Sequence, residues 1–191
     1  MSTTSSGELL DELSDFVSEL LVQYDYPGFE SRGFHVGLPE KFHSAGSRLF
    51  GDALNHPSVY VQIVALRWFQ EKPGTIKPFV KEITTMLKHQ DEWVRAEALG
   101  TLERFAAPTS GNALSCAELL GDSDVMVRRA VGKALCKILP RVNDKVAKEL
   151  ADVRQKNLDD VLNLLKNALT DADVQVRQKT EKALRKSGSL I

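Results

Sequence analysis

The sequence predicts an all-α fold: a right-handed α-solenoid of about four helical hairpins, with an N-terminal capping helix and one inserted helix. Three observations carry this. Four stretches share one pattern, "HPSVYVQIVAL" (56–66), "HQDEWVRAEAL" (89–99), "GDSDVMVRRAV" (121–131) and "TDADVQVRQKT" (170–180), with anchor valines Val61, Val94, Val127 and Val176 spaced by 33, 33 and 49 residues. A fixed period of this length is the signature of stacked helical units. Upstream of each anchor stands an apolar pair four residues apart, Phe50 and Leu54, Ile83 and Leu87, Cys116 and Leu120, Leu165 and Leu169, the spacing that puts two side chains on one helix face. Three residues before each anchor lies Ser58, Asp91, Asp124 or Asp173, all residue types whose side-chain oxygen accepts from the open amides of a new helix, worth about 1 kcal/mol. Each unit therefore reads as helix, tight turn, helix.

At the N-terminus, "GELLDELSDFVSELLVQ" (7–23) places Leu9, Leu13, Phe16, Val17, Leu20 and Leu21 at helical spacing with acids between them. This is an amphipathic helix, expected to cap the first hairpin. The following "YDYPGFESRGFHVGLPEKFHS" holds Tyr24, Tyr26, Phe29, Phe34 and Phe42, too aromatic for a disordered linker. It is expected to pack over the end of the solenoid, with a binding loop as the other reading. The domain division follows: 1–46 as helix and aromatic loop, 47–191 as the repeat body.

Within the second helix of the Asp91 unit, Val94, Ala98, Leu102 and Phe105 form the stripe that faces inward. Trp68 aligns with Thr101 on that stripe and is expected in the core. Trp93 precedes its anchor valine and points off the stripe; Tyr60, Met126 and Gln175 are its counterparts. Before the last copy, "LPRVNDKVAKELADVRQKN" carries Val142, Val146, Leu150 and Val153 at helical steps, with Pro140 suited to a first turn. It reads as the extra helix.

The copies "DEWVRAEAL", "DSDVMVRRAV" and "DADVQVRQKT" resemble HEAT-like repeats of the short "D-x-x-V-R-x-x-A" kind, similar to the HEAT-like repeats of bilin lyases. The resemblance covers roughly residues 47 to 188. It implies an architectural ladder of Asp91, Arg95, Asp124, Arg128, Asp173 and Arg177, in which the arginines reach acidic side chains or carbonyls of adjoining turns. The first copy departs, with Gln62 for Arg and Ser58 for Asp, as suits an end repeat or one covered by something else.

Function is less legible. The chain has 42% hydrophobic and 27% charged residues, an ordinary globular balance. No run of 18 apolar residues is present to cross a membrane, and the start has neither the basic nor the apolar part of a secretory signal; a cytoplasmic or nuclear home is the expectation, with no membrane partner. Cys116 and Cys136 sit in apolar helical patterns and read as reduced, buried thiols. His56 and His89 share one repeat position, which points to structure; His35 and His43 have no companions at metal-ligand spacing. The His-Glu pairs of HEAT-like di-iron hydroxylases are absent, as are phosphate loops and nucleophile elbows. No catalytic residue, metal or cofactor is expected, and the chain reads as a non-enzymatic scaffold for another protein.

Its partner-binding candidates are Tyr60, Trp93 and Met126 along the ridge of turns, and Arg129, Lys133 and Lys137, four apart on one outward face. Residues 1–60 hold nine acids and three bases (−6), whereas 61–191 hold seventeen acids and twenty-two bases (+5). That polarity admits a nucleic-acid-binding repeat protein as an alternative. A tubulin-binding array of the TOG type is a further alternative. Trp93 looks similar to the ridge tryptophan of that family, but it stands two residues before the arginine, and the turns here are acidic (Asp91, Glu92, Asp122, Asp124).

Overall fold

The computed structural model describes residues 5–23, 37–142 and 151–188. They form nine α-helices and no strand: α1 Ser6–Gln23, α2 Glu40–Ala53, α3 Val59–Glu71, α4 Val80–Thr85, α5 Glu92–Arg104, α6 Ser110–Glu118, α7 Val125–Ile138, α8 Ala151–Ala168 and α9 Val174–Lys186. None is long and apolar enough to cross a membrane. The chain divides into two compact units, residues 1–71 and 72–191.

In the first unit α2 and α3 form a hairpin, and α1 packs against both. Leu13 and Val17 of α1 are buried, as are Phe42, Leu49 and Phe50 of α2 and Val61, Leu66, Trp68 and Phe69 of α3. Trp68 is in the core, its ring stacked on Phe50 at 4.3 Å and edge-on to Phe69 at 5.3 Å. Helix α2 bends at Gly46, whose φ of 69° lies in the left-handed region, where only glycine sits without steric cost. Phe42, read as part of the aromatic loop, belongs to α2 and is fully buried; Tyr24, Tyr26, Phe29, Phe34 and His35 lie outside the described residues.

The second unit stacks three hairpins, α4/α5, α6/α7 and α8/α9. The second helices α5, α7 and α9 pack in a row, and α6 packs on α8. The 33-residue period produces this, because each hairpin has one apolar stripe and only a neighbour with the same stripe covers it. Val94, Val127 and Val176 are completely buried, and so is Val61 in the first unit. Each upstream apolar pair is buried except Leu169, which is half-buried. Helix α4 is short because Pro73 and Pro78 lie in the 3-10 turns Pro73–Thr75 and Lys77–Phe79 ahead of it. Of the insertion, Pro140 lies in the 3-10 turn Leu139–Arg141, residues 143–150 (including Val146 and Leu150) are outside the described residues, and Val153 is an exposed member of α8.

Candidate functional site

The turns between paired helices are where the recurring polar residues of the copies collect, and in the second unit their geometry repeats. Asp91 accepts from the amides of Trp93 (2.9 Å) and Val94 (3.0 Å), Asp124 from Met126 (2.7 Å) and Val127 (3.2 Å), and Asp173 from Val176 (3.0 Å). These are helix caps, each filling open amides at the start of a second helix. One turn position earlier, two residues before the cap, a second acceptor recurs. His89 Nδ1 accepts from the Asp91 amide (3.0 Å), Asp122 from the Asp124 amide (2.8 Å) and Asp171 from the Asp173 amide (2.7 Å). In the first unit His56 Nδ1 does the same for Ser58 (3.0 Å). The histidines thus accept from an amide, a structural role as their shared repeat position suggested.

The arginines join these turns. Arg95 donates through Nε and Nη2 to both oxygens of Asp122 in the next turn (2.7 and 2.9 Å), while Nη1 donates to the carbonyls of His89 and Gln90 (both 2.8 Å). Arg128 repeats this with Asp171 (2.7 and 3.4 Å) and the carbonyls of Asp122 and Ser123 (2.8 and 3.1 Å). Arg177, last in the row, donates to the carbonyls of Asp171 and Ala172. In the first copy Gln62 donates to the His56 carbonyl, at 2.8 Å. The planar fork is what permits three acceptor groups per side chain. So the acids hydrogen-bonded to Arg95 and Arg128 are Asp122 and Asp171, while Asp91 and Asp124 act as caps. Spacing within one copy cannot reveal such a partner, although the recurrence of His, His, Asp, Asp two residues before each cap is a readable signal.

These contacts set a pH dependence. Hydrogen bonds from Arg128 hold the Asp171 carboxyl below its usual range, and those from Arg129 hold Asp173 lower still. A carboxylate depressed in the native state contributes stability above its unfolded value, near 3.9, and loses it as pH falls through the native one. The urea midpoint is therefore expected to fall as pH drops from about 5 towards 2. In Asp171→Asn that fall should be shallower; an unchanged pH profile in the variant would show that the Asp171 contact does not bear on stability.

The basic stripe is partly neutralised by acids of neighbouring helices. Arg129 pairs with Asp173 through two hydrogen bonds (3.0 and 2.5 Å), and Glu103 of α5, only 5% exposed, is held by Lys137 at 2.5 Å and Lys133 at 3.6 Å. The reason is the row of second helices: a base on α7 that looks outward on a lone helix lies within reach of acids on α5 and α9. Arg141 adds a clamp, donating to the carbonyls of Glu103 and Phe105.

Trp93 and Met126 occupy matching positions in α5 and α7, each half-buried; Gln175 of α9 is exposed, and Tyr60 of the first unit is half-buried. A cleft of about 440 Å³ opens beside the first helices α4 and α6, lined by Thr84, Leu87, Lys88, Ser115, Glu118 and Leu119 among others. Both thiols are free and buried. Burial pushes the Cys116 thiol up to about 12 and raises Cys136 as well, the opposite of what a nucleophile requires.

Comparison with known proteins places this geometry. No curated protein matches the chain. Among solved structures it is similar to an engineered protein (TM-score 0.64, 18% identity, covering 98% of this chain and 76% of that one). It is also similar to a computationally designed armadillo repeat protein for modular peptide recognition (TM-score 0.61, 15% identity, 97% and 78%) and to a designed armadillo repeat protein in complex with the peptide (KR)4 (TM-score 0.61, 13% identity, 97% and 95%). These likenesses establish the helical-repeat solenoid fold. The family model for HEAT repeats matches residues 80–185, more than half of the chain and the same stretch that carries the arginine-linked turns, and the protein belongs to the HEAT-repeat family.

Proposed function

We propose that this protein is a non-enzymatic scaffold that binds another protein through its inter-helix turns, with Trp93 and Met126 as the contact residues of the second unit and Tyr60 as a separate contact residue of the first. The observation that carries the reading is the different fate of the two tryptophans. Trp68 is enclosed, while Trp93, half-buried, keeps part of a large amphipathic ring open to solvent on a helix whose cap and arginine already fix it. A partly exposed tryptophan on a rigid element is a common anchor in protein interfaces. The peptide-recognising design among its structural relatives supports a protein partner in general terms. A cytoplasmic setting and a cap formed by residues 1–46 belong to the same proposal. The nucleic-acid alternative loses support, since Arg129, Lys133 and Lys137 each have an acid.

Trp93→Ala is expected to change stability by less than about 1 kcal/mol, because part of the ring already faces solvent. Capture of the partner from native extract should fall sharply at the same time. A loss of several kcal/mol would make Trp93 a packing residue and remove the proposal.

A further inference from the structure

Helices α7 and α9 bring more base than acid to one shared face. Gly132 sets how close they lie: a Cβ there would stand 2.7 Å from the Cβ of Lys179, 3.2 Å from its carbonyl carbon and 3.3 Å from the Thr180 nitrogen. One turn on, the Cys136 thiol lies 3.6 Å from the Lys179 carbonyl oxygen. Along this seam α7 carries Arg129, Lys133 and Lys137, at steps of four, and α9 carries Lys179, Lys182 and Lys186, at steps of three and four. Both spacings keep side chains on one face of a helix.

The acids that reach this face are fewer. Asp173 takes Arg129, and Glu103 is shared between Lys133 and Lys137, whose own side chains stay 65% and 56% exposed. Glu181 pairs with Arg185. Lys179, Lys182 and Lys186 have no acid within ion-pairing distance among the described residues. The crowding is felt within the face: burial, then Arg129 and Lys133, push the Lys179 ammonium below its usual value against the pull of Asp173. Burial raises the Cys136 thiol while Lys186 and Lys182 pull it down. Like charges gathered in this way cost free energy that an anionic partner relieves.

We propose that the α7–α9 face binds an acidic peptide segment of a partner protein, whose carboxylates meet Lys182 and Lys186 and the free sides of Lys133 and Lys137. The proposal rests on the scaffold reading and names the chemistry of the partner. Two features favour a peptide over a nucleic acid. Glu103 and Asp173 lie within the face, where they repel an unbroken phosphodiester but leave room for carboxylates spaced along a peptide. None of the face residues named here is aromatic, so they offer bases nothing to stack on.

The test uses the full chain and a fluorescein-labelled peptide of alternating Glu and Ala, with a single-stranded RNA of equal charge alongside, at low and moderate salt. The peptide is expected to bind, with affinity falling as salt rises. The double variant Lys182→Glu, Lys186→Glu should weaken binding at least tenfold while its thermal midpoint stays that of the parent; Lys182→Ala, Lys186→Ala should weaken it less. No binding of the peptide, or binding indifferent to both double variants, overturns the proposal. So does RNA binding tighter than the peptide through the same lysines. Trp93→Ala should bind the peptide as the parent does, and a loss there would move the peptide site away from α7–α9. The ridge reading stands or falls separately, on natural-partner capture by the Trp93 variant.

Discussion

Trp68→Ala should lower the unfolding free energy by about 3–5 kcal/mol, the range for truncating a large buried aromatic. The side chain is 4% exposed, and its ring meets Phe50 and Phe69 at 4.3 and 5.3 Å. Losing two aromatic contacts, each worth roughly 0.5–1.5 kcal/mol beyond area burial, places the effect towards the upper end. Trp68→Phe should cost much less. The indole N–H is buried without an acceptor among the described residues, and removing such an orphan donor recovers part of the lost packing. Urea unfolding of the two variants reads this directly. If Trp68→Ala stays within 1 kcal/mol of the parent, the first hairpin is not organised around that ring, and the contrast with Trp93 loses its meaning.

Gly132→Ala should destabilise the protein, against the helix-propensity expectation. An exposed glycine in a helix interior gains about 1 kcal/mol on becoming alanine. Here the added carbon would stand 2.7 Å from the Lys179 Cβ, with backbone atoms of α9 just behind it. Neither is the free end of a flexible side chain, so α7 and α9 must separate, at an overpacking cost of about 1–3 kcal/mol. Gly132→Leu should do more harm, and is instructive because Leu99, 33 residues earlier, holds the matching place in α5 and is fully buried. Urea unfolding, with amide exchange along α9 to locate the damage, checks both. Gly132→Ala proving more stable than the parent by the propensity increment would show that the helices have room to spare.

Much of the second unit was legible because its determinants are local or periodic. Caps act over two or three residues, so Asp91, Asp124 and Asp173 could be assigned from their distance to the anchor valine. The inward stripe follows from 3.6 residues per turn, and Val94, Ala98, Leu102 and Phe105 are all buried as that period requires. The candidate site was legible only in part. Arg95 and Arg128 announced themselves by recurrence, but their partners lie 27 and 43 residues away. The stripe of Arg129, Lys133 and Lys137 looked outward on a helix taken alone. Glu103, a last-turn acid of α5, had no periodic feature to mark it as their partner.

What the sequence alone determined is the unit: a helical hairpin with a capped second helix and one apolar stripe, because turn chemistry and helical period are properties of neighbouring residues. Which hairpin faces were covered was decided only by the tertiary structure, and with it which charges were neutralised. Two helices from distant parts of the chain must first be brought together before Gly132 can act as a contact, Glu103 as a counter-ion, or the lysines of α7 and α9 as one surface.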